Sequence, residues 1–303
     1  MSGFRRVDGG MVTGRFTDHH VHLQLVDHAL LAGSRLGRVV DLGGNPAWVA
    51  GVARHNSGET PDSARESAGS GLDRHVSPEL WSVTVEYAGA FLTAPGGYPS
   101  DRSWAPAGSV REIADAGAAA SAVDELAAIG ASCIKVVAHS EAGPVLDDDS
   151  FRAAVAAAKS HGLPVVAHAE GSGQAQRAAR LGADRLAHAP FTERLTDDEI
   201  AEQAASVEWI STLAIHDDAH RAIAIDNVRR FADAGGTVLY GTDMGNGPTP
   251  VDLNPRELDA LREAGIDGIR LLHALAPLAD DPHPLFLPDG DPAGAHPLTH
   301  LEA

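Results

Sequence analysis

Short apolar or β-branched runs alternate along the chain with longer alanine-rich segments in which apolar residues recur at helical spacing. That pattern predicts βαβ units around a parallel sheet. The runs Phe16–Leu23, Arg38–Leu42, Trp81–Ala90, Cys133–Val137, Pro164–His168, Arg185–His188, Val207–Leu213 and Thr237–Gly241 predict eight strands. Helices are expected over Ala119–Ile129, Phe151–His161, Ser172–Leu181, Asp197–Ala205, Asp218–Ala234 and Pro255–Glu263. Glycines at 130, 162, 182, 235 and 265 stand where left-handed C-caps would stop helices, and Thr196 before Asp197, Asp198 and Glu199 reads as a capped start. Eight strands alternating with helices predict an α/β fold, a (β/α)8 TIM barrel in a single domain.

Two stretches break this rhythm. Asn45–Pro78 and Thr93–Gly117 are rich in Gly, Pro and Ser and predict long βα loops after strands 2 and 3. In such a barrel those loops lie on the face that carries chemistry, where they shape or cover a pocket. Residues 1–280 are assigned to the barrel. Residues 281–303, rich in Pro and Asp, are expected as a tail that wraps the surface or is partly disordered.

Composition narrows the function classes. Across 303 residues, 42 acidic against 23 basic side chains leave a net charge of -19, which repels phosphate backbones and anionic lipid, so nucleic-acid and membrane partners are not expected. No stretch approaches the ~20 apolar residues that span a bilayer, and the first residues carry no apolar leader core. A cytoplasmic protein is expected. The single cysteine, Cys133, lies inside the apolar run ASCIKVV and reads as a buried strand residue.

The candidate chemistry begins at the end of the first strand, in Asp18-His19-His20-Val21-His22. Side chains alternate along a strand, so His20 and His22 project to one side and two imidazoles can converge on one ion. An HxH pair alone is a weak signal. Other ligand types, however, recur at strand ends in order: Lys135 in strand 4, His168 closing strand 5, His188 closing strand 6 and Asp243 just after strand 8. The C-terminal strand ends of a barrel form one ring, so positions more than two hundred residues apart can share a metal coordination shell.

With these motifs in place, the sequence resembles the amidohydrolase superfamily. DHHVH is similar to its strand-1 DxHxH, IKV to its strand-4 lysine, VVAHAEG and RLAHAPF to its two later histidines, and LYGTDMG to its strand-8 aspartate. YAGAFLTAPGGYPS adds a likeness to the branch containing imidazolonepropionase-like enzymes and prolidase-like dipeptide hydrolases. Members of that branch carry a small accessory β-sandwich, which here is expected to be absent or vestigial.

The resemblance implies two divalent metal ions, zinc by default. His20, His22 and Asp243 would hold the more buried ion, His168 and His188 the outer one, and Lys135, carboxylated by carbon dioxide to a carbamate, would bridge them. It further implies a metal-bridging hydroxide that cleaves an amide, lactam, ester or lactone of a small molecule, with Asp243 as proton shuttle. Tyr98, His139 and His216 are candidates for substrate contact, and Asp18 for support of the ligands. His19 is expected to pack away from the site. Glu170 keeps an alternative in view, because deaminases of the superfamily use one ion and a carboxylate near the later histidines; the further alternative is a metal-binding barrel without turnover. Homo-oligomerisation through the helices is also implied by resemblance.

Overall fold

A computed structural model describes residues 4–56 and 83–298. Strands β1 (Phe4–Val7) and β2 (Gly10–Thr13) form an antiparallel hairpin, after which β3 (Phe16–Val21), entirely buried, begins the parallel core. β4 (Leu36–Asp41), helix α1 (Pro46–Asn56), β5 (Thr84–Tyr87), β6 (Phe91–Thr93), β7 (Val110–Glu112) and α2 (Ala116–Ala128) follow. Then come β8 (Ile134–His139), α3 (Asp148–Ser160), β9 (Val165–Glu170), α4 (Gln174–Leu181), β10 (Arg185–Leu186), α5 (Asp197–Ala204), β11 (Glu208–Ile210), α6 (Asp218–Asp233) and β12 (Val238–Leu239). Helices α7 (Pro255–Glu263) and α8 (Gly268–Ala274) precede β13 (Leu285–Pro288) and β14 (His296–Pro297).

The pairing is parallel throughout the core: a seven-stranded sheet ordered β12-β11-β10-β9-β8-β6-β7 and a three-stranded sheet ordered β3-β4-β5. Hydrogen bonds also run between the two sheets. His19 N donates to Tyr240 O at 3.0 Å and His22 N to Met244 O at 2.7 Å, while Ser132 N donates to Tyr87 O at 2.8 Å. β5 falls within the predicted third strand, whereas β6 begins just beyond its predicted end, the two parted by a break at Gly89. That residue has φ 78°, and a Cβ there would lie 2.8 Å from Leu126 Cδ2, so neither the conformation nor the space admits a side chain.

The predicted helix punctuation is borne out. All five stop glycines have positive φ, and Thr196 forms a reciprocal capping box with Glu199. The apolar faces of the helices pack on the sheets in one large cluster. A second, smaller cluster gathers residues from successive strands, among them Val40, Ala88, Val166, Ile210 and Leu239, and Cys133 sits in it. Burial pushes the Cys133 thiol up to about 12, which makes it an inert apolar side chain.

Three expectations need correction. The first part of the presumed loop Asn45–Pro78 is helix α1, started by Asn45, whose Oδ1 accepts from Ala47 N and Trp48 N. The remainder of that loop, with His75, lies outside the described residues, as do Trp81 at the start of the predicted third strand and His300. Helix α8 was not anticipated. It is only 7 residues long, too short for a periodic signal, and is set by the Asp267 cap and by burial of Leu271 and Leu272.

The segment after 280 is also no loose tail in its described part. β13 pairs antiparallel with β2 and with β14, making a four-stranded sheet with the N-terminal hairpin. Leu285 and Leu287 are buried there, and Asp281 clamps Arg15 through Oδ2 to its backbone N at 2.8 Å and Nε at 2.9 Å. Prolines around LFLP hid a strand whose partner lies more than 270 residues away. In this small sheet the two chain ends meet beside the core, where the accessory domain was expected to be absent or vestigial.

Candidate metal centre

His20 and His22 emerge from β3 on one side of the backbone, and Asp243 follows β12. His20 Nε2 and His22 Nε2 each lie 3.1 Å from Asp243 Oδ1 and 3.3 Å from each other. Each histidine has its other nitrogen engaged: His20 Nδ1 donates to Ala187 O at 2.8 Å and His22 Nδ1 to Gly43 O at 2.9 Å. The tautomers are thereby set, and three lone pairs face one another, an arrangement that repels unless a proton or a cation sits among them. Donor atoms bound tetrahedrally at about 2.0–2.1 Å to zinc stand about 3.3 Å apart, so the observed triangle fits a metal ion closely.

The backbone holding this triangle is strongly constrained. Asp18, fully buried, accepts from His20 N at 3.0 Å and from Thr242 N at 3.1 Å through Oδ1, and from Thr242 Oγ1 at 2.6 Å through Oδ2. Burial pushes its carboxyl up to about 7 against these hydrogen bonds. Asp18 thus ties the ligand pair of β3 to the segment carrying Asp243. Asp243 itself has φ 52°, a left-handed conformation costly for a non-glycine residue, held by Asn246 N donating to Asp243 O at 2.8 Å. Asn246 Nδ2 also donates to Asp243 Oδ2 at 2.9 Å, leaving Oδ1 for the histidines.

The electrostatics follow the geometry. Burial would raise the Asp243 carboxyl, but His20 and His22 outweigh it and hold the group well below the ordinary carboxylate range. Burial lowers His20 to about 4, while for His22 the Asp243 hydrogen bond and charge overcome burial and the net shift is upward. Burial also lowers His188 well below its usual value. For His20 and His188, neutral imidazoles near an ionised carboxylate are the protonation states that metal ligands require, whereas the upward shift at His22 reflects a proton shared with Asp243, the place a cation would take.

His188 and His168 stand beside this triangle. The His188 ring centroid is 4.8 Å from that of His20 and 4.9 Å from that of His168. His188 Nδ1 is paired with Thr212 Oγ1 at 2.9 Å, and Thr212 takes φ 45°, the second strained non-glycine residue at the site. His168 Nε2 is paired with Glu170 Oε2 at 3.0 Å, which leaves Nδ1 as the nitrogen a metal could use. Lys135 is 2% exposed, and among the described residues its ammonium has no hydrogen-bonded counter-ion. Burial lowers its pKa to about 8, with Asp243, Cys133 and Asp41 opposing, which brings the neutral amine closer to reach than for an exposed lysine.

All six predicted ligands line one cavity of about 420 Å³. Tyr98 and His216 line it too. His139 does not: its Nε2 lies 3.3 Å from Glu170 Oε2 and its ring packs 5.0 Å from Tyr98, behind the wall. His19 is packed away as expected, its Nδ1 donating to Tyr240 O at 3.0 Å. Sequence reasoning missed Thr212 and Asp41, which accepts from Leu23 N and Gly43 N and so shapes the turn whose carbonyl receives His22. It also missed the pocket aromatics Phe91, Trp104 and Phe191. An HxE reading would have paired Glu170 with His168, but no local spacing announces Thr212 or Asp41.

No protein-family model and no curated protein sequence matches the chain. Solved structures do. A putative prolidase from Bifidobacterium longum superposes with TM-score 0.70 at 18% identity, covering 95% of this chain and 79% of that one. A. niger ochratoxinase gives TM-score 0.67 at 15% identity over 95% and 82%. A protein described as an amidohydrolase gives 0.65 at 18% over 96% and 87%. At such identities the likeness establishes a shared fold with these hydrolytic enzymes. Among the described residues no helix is long and apolar enough to cross a membrane.

Proposed function

We propose that the protein is a metal-dependent hydrolase of the amidohydrolase superfamily that cleaves a C–N bond, an amide or lactam, of a small molecule; esters and lactones fall within the same chemistry. In this reading the two parallel sheets close as one (β/α)8 barrel, and the six ligands meet at its mouth. The observation that carries it is the triangle of His20, His22 and Asp243 at 3.1–3.3 Å, with buried, unpaired Lys135 lining the same cavity.

His20, His22 and Asp243 would hold one divalent ion and His168 and His188 a second, with Lys135 as a carbamate shared between them. Bound divalent ions supply an activated water and polarise the scissile carbonyl. Asp243 would take the proton of the attacking water and pass it to the leaving nitrogen, its histidine neighbours keeping the carboxylate ionised beforehand. Asn246 keeps that carboxylate oriented, and Thr212 and Glu170 hold the outer histidines. A carbamate needs a neutral amine, which the lowered pKa of Lys135 provides.

The test is metal content by mass spectrometry, then reconstitution of the metal-stripped protein with zinc or manganese, with and without bicarbonate. Two ions per chain and bicarbonate-dependent recovery are expected, and Lys135→Ala should bind fewer than two. One ion per chain, with ammonia released from amine substrates and Lys135→Gln unimpaired, would replace this reading with that of a mononuclear aminohydrolase.

A further inference from the structure

A closed circuit of aromatic rings surrounds the ligand side chains. From His22 it passes to Phe91 at 5.6 Å between centroids, then to Trp104 at 6.3 Å, Tyr98 at 6.0 Å and His168 at 5.7 Å. It returns through His188 and His20 to His22 at 4.9, 4.8 and 5.2 Å. A further pair, Phe191 stacked on His216 at 4.1 Å and 29°, joins it beside His188. Phe91 is built into the ligand scaffold, because a Cβ at Gly43, whose carbonyl receives His22, would overlap its ring.

The charges in this cavity point the same way. Apart from the buried Lys135, the described lining residues include no lysine or arginine, whereas the carboxylates of Glu170 and Asp243 both face in. Arg102, over the Tyr98 ring at 5.4 Å, is paired with Asp101 at 3.3 Å. Beyond the ions, whose open positions the water and the scissile carbonyl would take, a substrate carboxylate would gain no lysine or arginine from these walls and would meet Glu170. A flat apolar ring would instead bury on aromatic faces.

Building on the hydrolase reading above, we propose that this site selects substrates in which a neutral aromatic ring flanks the scissile carbonyl or its nitrogen, and rejects those carrying a carboxylate there. Aryl and arylalkyl amides are its class, as opposed to free dipeptides and N-acyl amino acids.

The test uses the zinc-loaded full chain and a matched pair, N-acetyl-2-phenylethylamine and N-acetyl-L-phenylalanine, which differ only in the carboxylate. Hydrolysis is followed by amine release and binding by tryptophan fluorescence. The neutral amide should exceed the acid by about 100-fold in kcat/KM, as expected where a site leaves a charged group unpaired. Trp104→Ala should raise KM for the neutral amide about 10-fold, the scale of a lost aromatic contact, with kcat little changed. Preferred hydrolysis of the acid would overturn the substrate class and leave the hydrolase reading standing. Binding of the neutral compound alone, without cleavage of either, would uphold the class and count against the hydrolase reading. Equal binding of both compounds, or of neither, would overturn the proposal.

Discussion

The two halves of the proposed metal centre are held by different means. His20 and His22 are oriented by backbone: carbonyls of Ala187 and Gly43 take the histidine N–H groups, and Asp18 staples β3 to the segment after β12 through two further backbone amides, while the Asn246 side chain holds the Asp243 carboxylate. His168 and His188 are oriented by side chains alone, Glu170 and Thr212. The first half already has the spacing of a coordination shell. The second is a pair of rings at van der Waals distance that an ion and Lys135 would have to draw together. Backbone carbonyls just beyond a strand end are fixed by the chain on either side, whereas a carboxylate or hydroxyl on a flexible side chain can rotate away, so the inner half is preorganised and the outer half adaptable.

The largest test of this contrast is Asp243→Asn. It should reduce turnover about 1000-fold, the scale of losing both a proton acceptor and a charged ligand, and weaken the inner ion, while circular dichroism and Tm stay close to wild type. Retention of more than a few per cent of activity would refute the proton-transfer role. Thr212→Ala and Glu170→Gln come next: each should lower affinity for one ion about 10- to 100-fold, as measured by competition with a fluorescent chelator, and leave the other ion in place. Equal loss of both ions would erase the distinction between the halves.

The smallest effect concerns the support of the outer half. Glu257 of α7 accepts from Leu213 N at 2.9 Å and Ala214 N at 2.7 Å, fastening the turn between Thr212 and His216. Burial pushes its carboxyl up to about 7. Because the folded chain keeps a proton that the unfolded chain has lost, this stabilisation is complete below about pH 4.5 and declines as the pH rises to and through 7. The decline amounts to at most about 3 kcal/mol, at 1.36 kcal/mol per pKa unit. Glu257→Gln should therefore flatten the fall in Tm between pH 5 and 8 by a few degrees. An unchanged slope would place the titration elsewhere.

Much of the parallel core was legible in the chain. Alternation of β-branched runs with alanine-rich helices marked the strands, and glycines and Thr196 marked helix ends within a few residues, because both signals are local. What escaped was set by distance or by length: the sheet joining residues 4–13 to 285–297 depends on partners at the far end of the chain, and α8 is too short for a periodic signal. Helix α1 escaped for another reason, its low amphipathicity ahead of a glycine- and serine-rich stretch.

By itself the sequence determined the inventory and order of the candidate ligands, since HxH in the first strand and a lysine, two histidines and an aspartate at strands 4, 5, 6 and 8 are one-dimensional facts. Tertiary structure alone decided which nitrogen of each imidazole is available and that Asp243 sits in a left-handed turn. It also decided that Phe91, Trp104 and Tyr98 complete a ring with the ligand histidines. Those properties depend on hydrogen bonds and contacts between residues up to 224 positions apart, as with Asp18 and Thr242, and no local pattern encodes them.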